Sequence, residues 1–457
     1  MKISAPTLGK IKEYKMLWIA VVLAFAIACL FLLGVLLSNA KLADIFTSTR
    51  IETLKNRPPE FTRDIVIDLS FNRSRGGVKT LTENIIAGIA QKRPTWRILL
   101  ILSDYSDRDY HKLDRFQNVK LIKAKMQYDF LKNIIFSTLN LFTFDTLRWL
   151  FDQIIFFNEI VVDDKCDLYW KNDCTSSLLE FPHHKISTIH DMVYLDDTPC
   201  KRGRFTKLFG NAIIKSIRND DQIITVSNFS QKRILDEFNI PESRVKMIHI
   251  KLAKRIHKSI PKKQQAETLG KYRIGKDKYL LFISAFWGNK NHHGLIQAFA
   301  KFLERTGSAM KLVLAGSCPT GCDKFRKIAA LNKIEDKVIF TDYISNDDLH
   351  ILLSNACAFI YPSFYEGFGM PIIEAMEAGI PVTCSNCASL PEIAGDAAVF
   401  FDPLSQEEMI RAMIKITSDN QLRKRLKLLG LKQAEKFSDT KFMIDEYVRI
   451  FEATMKK

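Results

Sequence analysis

The sequence predicts an α/β chain of two doubly wound parallel sheets, preceded by one membrane-spanning helix. Two separate series of short apolar runs alternate with helical stretches, the pattern of parallel strands joined by helical crossovers. At 457 residues the chain exceeds one ordinary core, so two domains and an appendage are the natural division. Residues Met16 to Leu37 (MLWIAVVLAFAIACLFLLGVLL) then run for 22 positions without a charge.

A helix of that length spans roughly 30 Å of hydrocarbon, enough to cross a bilayer. Ser38-Asn39-Ala40 resembles a signal-peptide cleavage site, but the apolar run exceeds the usual ~7–15 residues. The expectation is therefore an uncleaved anchor over residues 1–40, with its helix at 16–37. Lys2, Lys10, Lys12 and Lys15 before the span balance Lys41, Arg50, Lys55 and Arg57 after it, so positive charge does not orient it. The sequons at Asn72 and Asn228 do not orient it either.

Residues 41–60 read as a linker ending at Pro58-Pro59. The first series follows within an expected domain at 61–255. IVIDL (Ile65 to Leu69) is a strand, SFNRSRGG a loop, VKTLTENIIAGIAQK a helix and RILLIL (Arg97 to Leu102) the next strand. KISTIH, QIITVS and VKMIHI follow. Residues 121–160 are aromatic-rich with few charges. They read as a helical insertion, either buried or lying at a lipid interface.

A basic stretch at 256–278 reads as the interdomain linker. The second series occupies 279–430, with YLLFISA, KLVLAG, KVIFTDY and AFIYPS as strands. Residues 431–457 are expected to form a C-terminal helix packing back on the first domain. Facing sheets of this kind place their strand carboxyl ends along one cleft, where such folds bind ligands.

The formal charge of +16 points to anionic partners: nucleic acid, phospholipid or a phosphorylated small molecule. No zinc-finger spacing or basic-aromatic RNA signature is present, which argues against nucleic acid. The nine cysteines are odd in number and lack framework spacing. Cys318 and Cys322 have no partners for a zinc site, and Cys384 and Cys387 form a CxxC without a second pair. Reduced thiols favour a cytosolic catalytic region.

The most informative string is AFIYPSFYEGFGMPIIEAMEAGIPVTCSNCASLPEIAG. A buried strand ends at Pro362, and a loop with Gly367 and Gly369 follows. Pro371 can open the next helix, where its missing N–H costs nothing; Gly379 and Pro381 stop that helix. Such a loop lets backbone N–H groups approach a phosphate at the positive helix end. Glu366 lies in the loop and Glu374 eight residues on, in the helix; carboxylates there can clasp sugar hydroxyls.

This stretch closely resembles the Glu-x7-Glu motif of the retaining group 1-type glycosyltransferases, glycosyltransferase family four, with the GT-B fold of two Rossmann-like domains facing a central cleft. The resemblance implies that Glu366 contacts the donor sugar and Glu374 the ribose. It also implies that backbone N–H groups near Gly367, at Phe368, Gly369 and Met370, face sugar and phosphates. LLFISAFWGNKNHHGLIQAFA resembles the family's donor-phosphate segment, making Lys290 the cation for the pyrophosphate. Where many relatives carry an arginine this chain has Ser284-Ala285, one cation fewer. TIHDMVYLDDTP places His190 at the sugar end of a strand. Gly76 and Gly77 match the first-domain glycine loop, with Arg75 beside them, and VSNFSQKRIL makes Ser227 a helix N-cap.

The expected sites are thus His190, Glu366 and Lys290 for catalysis. Gly76, Gly77, Lys290, Gly367, Phe368, Gly369, Met370 and Glu374 are expected to bind the donor. The implied reaction is retaining transfer of a hexose, mannose favoured, from GDP-mannose or a UDP-sugar to a glycan or lipid-linked acceptor at the membrane. No cofactor and no metal are expected; Asp107-Arg108-Asp109 spells a metal motif but stands well past its strand in the wrong domain. Because nucleotide sugars are cytosolic, a single-pass protein with a cytosolic catalytic region follows. The alternatives are a catalytically lapsed GT-B binding subunit and a basic nucleic-acid-binding membrane protein.

Overall fold

The computed structural model describes residues 57–69, 77–102, 110–123, 166–172, 184–193, 217, 220–253, 260–318 and 321–456. The expected 16–37 helix and nearly all of the 121–160 insertion lie outside them. Among the described residues no helix is long and apolar enough to cross a membrane.

In the first series, strand β1 (Arg63–Asp68) precedes helix α1 (Gly77–Lys92), followed by β2 (Trp96–Leu102) and β3 (Val119–Lys123). Then come β4 (Leu168–Lys171), β5 (His184–Ile189), β6 (Gln222–Thr225), α2 (Asn228–Phe238) and β7 (Val245–Met247). They form a seven-stranded parallel sheet in the order β3-β2-β1-β4-β5-β6-β7. The run IVID is apolar almost throughout because helices and neighbouring strands bury both of its faces, as parallel sheets require; Ile65 and Ile67 are fully enclosed.

The second series begins with helix α3 (Lys262–Lys271) and β8 (Tyr279–Ile283), then α4 (His292–Thr306), β9 (Lys311–Ala315) and α5 (Asp323–Leu331). It continues with β10 (Val338–Phe340), α6 (Asn346–Asn355), β11 (Ala358–Tyr361), α7 (Met370–Glu377), β12 (Val382–Ser385), α8 (Leu390–Ala394) and β13 (Ala398–Phe401). Helices α9 (Gln406–Ser418), α10 (Asn420–Glu435) and α11 (Thr440–Thr454) close the chain. The second sheet is six-stranded and parallel, in the order β10-β9-β8-β11-β12-β13. Each sheet reverses its winding direction once, at β1/β4 and at β8/β11, and open α/β sheets bind ligands at such switch points.

Two expected boundaries fall inside elements, and one expected linker holds a whole helix. The 256–278 linker contains α3, which docks on the second sheet's side: Tyr272 donates its hydroxyl to Asp348 at 2.7 Å, and Asn355 bonds Gln265 at 3.3 Å. The expected insertion starts at 121, but residues 121–123 complete β3. That strand escapes notice because it is a short edge strand whose apolar residues are interrupted by Lys120 and Lys123. The 430/431 boundary cuts α10 in mid-helix. Gly430 sits there because a Cβ would lie 3.2 Å from the Met376 side chain, so the glycine allows close packing against α7.

Helix α11 lies against elements of the first sheet. Tyr447 and Phe451 rings lie 5.5 and 5.4 Å from Trp170 on β4. Ile444 packs on Gly88 of α1, while Lys92 pairs with Asp445 and Arg93 with Glu452. All the described residues belong to one compact unit.

Candidate functional site

Two loops at the β8/β11 switch point are stitched together. The turn after β8 tightens over Gly288–Lys290, and Asn291 turns left-handed at φ 56° to cap α4, its side chain accepting from Gly294 N at 3.2 Å. Phe364 N donates to Asn289 O at 2.8 Å, and Asn289 Nδ2 donates to Tyr365 O at 3.2 Å. This register carries Lys290 to the loop after β11, where its Nζ lies 2.5 Å from Glu366 Oε1. Both side chains are largely enclosed, at 17% and 11% exposure. Burial alone would draw the Lys290 ammonium down. The Glu366 carboxylate, with Tyr361 and Asp191, outweighs it and holds Lys290 above the ordinary lysine value.

Behind this pair His292 stacks on Phe286 with ring centres 3.9 Å apart and lies 4.7 Å from the Phe282 ring. Burial, then the nearby Lys290 and Lys324, push its pKa down to about 3. The ring is therefore neutral at physiological pH, and Lys290 is the charged group of this turn.

Two helix N-termini meet at the same place. Helix α7 starts at Met370 behind Gly369, whose φ of 103° suits glycine. Helix α1 starts at Gly77, and a Cβ there would lie 2.3 Å from the Met370 terminal methyl. The first turns of the two helices are thus in contact across the sheets. Each helix start carries N–H groups without intrahelical partners and a partial positive charge. The preceding turn is also pressed against the first sheet: a Cβ on Gly367 would lie 1.7 Å from the His190 carbonyl oxygen. Only glycine fits that approach.

His190 follows β5, and its Nε2 lies 3.2 Å from the Asn172 carbonyl oxygen. A carbonyl only accepts, so Nε2 carries the proton and, in the neutral ring, Nδ1 is the acceptor. That Nδ1 is buried and has no hydrogen-bond partner. Ser227 caps α2, accepting from Ser230 N at 3.1 Å and donating to Gly367 O at 2.7 Å.

Of the expected residues, the structure therefore brings Lys290, Glu366, Gly367, Met370, Gly77 and His190 into one neighbourhood. Glu374 lies one turn along α7 from Met370, on the same helical face. Phe368 turns its ring away, edge-on to Phe437 at 5.6 Å, so only its backbone is available to the loop. Gly76, Arg75 and the Asp107-Arg108-Asp109 motif lie outside the described residues. Among the described residues no cluster of His, Cys, Asp and Glu could hold a metal ion. Cys387 donates to Phe364 O at 3.2 Å, and burial pushes its thiol up to about 12, the state of a structural cysteine.

Sequence reasoning missed Tyr361, Asn172, Ser389, Glu392 and His249. Ser389 donates to the Glu366 and Phe368 carbonyls, each at 2.9 Å. Glu392 reaches His249 Nε2 at 2.6 Å. Ser389 and Glu392 sit within the glycine- and proline-punctuated string already noted, but their partners are distant in the chain and leave no local signal.

Two parallel sheets, with a lysine–glutamate pair and two helix N-termini gathered at their strand ends, define the GT-B architecture. The solved structure of Anabaena HepE in complex with UDP and glucose shares it, with a TM-score of 0.65 at 15% identity over 86% of this chain and 100% of that one. Residues 264–432 match the family described as glycosyl transferases group 1, and this part of the chain is a group 1 glycosyltransferase domain. The O-antigen chain mannosyltransferase B of Escherichia coli is 32% identical over 259 residues, 55% of this chain and 66% of that protein. A serotype-specific mannosyltransferase WbdA of Escherichia coli is 28% identical over 295 residues, 63% of this chain and 34% of that protein. The chain thus spans between about a third and two thirds of the length of these relatives.

Proposed function

We propose that the chain is a retaining hexosyltransferase, mannose favoured, that takes its sugar from a nucleoside diphosphate donor and passes it to a glycan or lipid-linked acceptor at a membrane. The observation that carries this reading is the convergence of Lys290 with the N-termini of α1 and α7 beside the Glu366 carboxylate. One cation and two dipole ends suit a diphosphate, and an adjacent carboxylate suits the hydroxyls of the attached sugar. The names of the two Escherichia coli relatives favour mannose, and the UDP held by HepE favours a nucleotide donor.

The reaction breaks the bond between the anomeric carbon and the β-phosphate oxygen, while the acceptor oxygen bonds that carbon from the same face. The acceptor proton passes to the departing phosphate oxygen. Lys290 and the first-turn N–H groups stabilise the charge growing on the diphosphate. Glu366 orients the sugar and Glu374 the ribose. His190 offers Nδ1 to a sugar hydroxyl. The apolar 16–37 segment holds the enzyme beside its acceptor, with the catalytic region on the cytosolic side where nucleotide sugars are made.

The test is a transfer assay in membranes from cells expressing the full chain, with labelled GDP-mannose and a panel of UDP-hexoses. Label entering a lipid-linked or polymeric product, with the α-anomeric configuration of the donor retained, supports the reading. Absence of transfer from every donor, or inversion, rejects it.

A further inference from the structure

We propose that helix α8 couples the spacing of the two halves to the shape of the Glu366 loop, and that Glu392 is the positioning residue through which the coupling runs. Glu392 lies on the second half, yet the hydrogen bonds of its carboxylate go to the first. Its Oε1 accepts from Asn228 N and from Asn228 Nδ2, both at 2.9 Å, and Oε2 accepts from Phe229 N at 3.1 Å. His249 Nε2 adds the fourth contact at 2.6 Å. The carboxylate thereby caps the first turn of α2, where a helix attracts negative charge.

Three residues earlier, Ser389 makes the opposite connection. Its hydroxyl holds the carbonyls of Glu366 and Phe368, each at 2.9 Å, on the two sides of Gly367. Between these residues, Leu390 underlies Gly369, where a Cβ would lie 2.7 Å from its Cδ2. One turn of helix therefore touches the first half with one residue and shapes the sugar-facing loop with two others. The circuit closes through Ser227, the cap of α2, which donates to Gly367 O at 2.7 Å. Moving α2 away from α8 would pull on both the carboxylate and the loop carbonyl.

Burial would raise the Glu392 carboxyl, but His249 and the two backbone N–H groups outweigh it and hold the group below the ordinary range. Glu392 is thus ionised at neutral pH. Removing it strands four donors, Asn228 N and Nδ2, Phe229 N and His249 Nε2, a loss larger than that of the contacts alone. A residue that only capped α2 would leave the Glu366 loop unaffected.

Amide hydrogen exchange on the full chain, without donor, separates these roles. In Glu392→Ala, exchange is expected to rise about tenfold or more in both 228–231 and 366–370. Glu392→Gln, which keeps the shape and loses the charge, should show the same two segments with a smaller rise, and it serves if the alanine variant does not fold. A rise confined to 228–231 in both variants overturns the proposal. The activity arm rests on the transferase reading: Glu392→Gln should lower kcat about tenfold or more with little change in donor KM. Coupled exchange in a protein that transfers no sugar would reject that reading and leave the coupling standing. Transfer with uncoupled exchange would do the reverse.

Discussion

Lys290 Nζ and Glu366 Oε1 lie 2.5 Å apart, across two loops that 76 residues of sequence separate. The pair joins the cation meant for the diphosphate to the carboxylate meant for the sugar, in a place where little water reaches either. Each member therefore fixes the other's position before a donor arrives, and an unpaired charge there would be costly.

Removing either member should be severe. Lys290→Met and Glu366→Gln are each expected to lower kcat by about 10²–10³, the range for losing one preorganised electrostatic group. Because the two act as a unit, the double variant should lose much less than the product of the single effects. Steady-state kinetics on the four proteins checks this; independent, multiplying losses would show that the pair is not a functional unit.

Gly367 and Gly77 separate backbone crowding from side-chain crowding. At Gly367 a Cβ meets the His190 carbonyl at 1.7 Å, and backbone cannot step aside; at Gly77 it meets only the flexible end of Met370. Gly367→Ala should destabilise the fold by about 2 kcal/mol or more. Gly77→Ala should leave stability within about 0.5 kcal/mol while raising donor KM through the displaced Met370. Urea unfolding and donor titrations read both.

His292 gives a pH signature whose sign is fixed. Its folded pKa is about 3 against an ordinary 6.5, so the unfolded chain binds the proton first as pH falls. Stability is full above about 6.5 and falls on acidification towards 3, by up to about 1.4 kcal/mol per pH unit from this group. In His292→Leu that slope should be absent. The measurement is the urea midpoint between pH 7 and 5 in both proteins.

The docking of α11 should be strong. Phe451 is fully buried against Trp170 and Tyr447, so Phe451→Ala is expected to cost about 3–5 kcal/mol. Denaturant unfolding measures it.

Strands with long apolar runs such as RILLIL and YLLFI were legible, but β4 (LYWK) and β12 (VTCS), though wholly buried, were not, because polar residues break their short runs. The edge strand β3 was not, because lysines interrupt its apolar positions. Helix α3 was hidden by its polarity: KKQQAETLGK buries only Thr268, so no apolar stripe announces it. Within the site, Lys290 and Glu366 were visible through local spacing around strand ends and glycines. Glu392 and His249 were not, because their significance lies in a contact spanning 143 residues, and single-chain spacing carries no record of such a meeting. The mid-helix Gly430 shows the same limit from the other side, a residue that ends helices locally but is kept here by the approach of Met376.

A nucleoside diphosphate is expected to lodge at Lys290, between the two helix starts. Thermal unfolding of the full chain with GDP, UDP and inorganic pyrophosphate tests it most directly. GDP or UDP should raise Tm by several degrees, equivalent to about 2.7 kcal/mol at a hundred times Kd, and Lys290→Met should abolish the shift. An unchanged Tm with every nucleoside diphosphate, or a shift that survives in Lys290→Met, would contradict it.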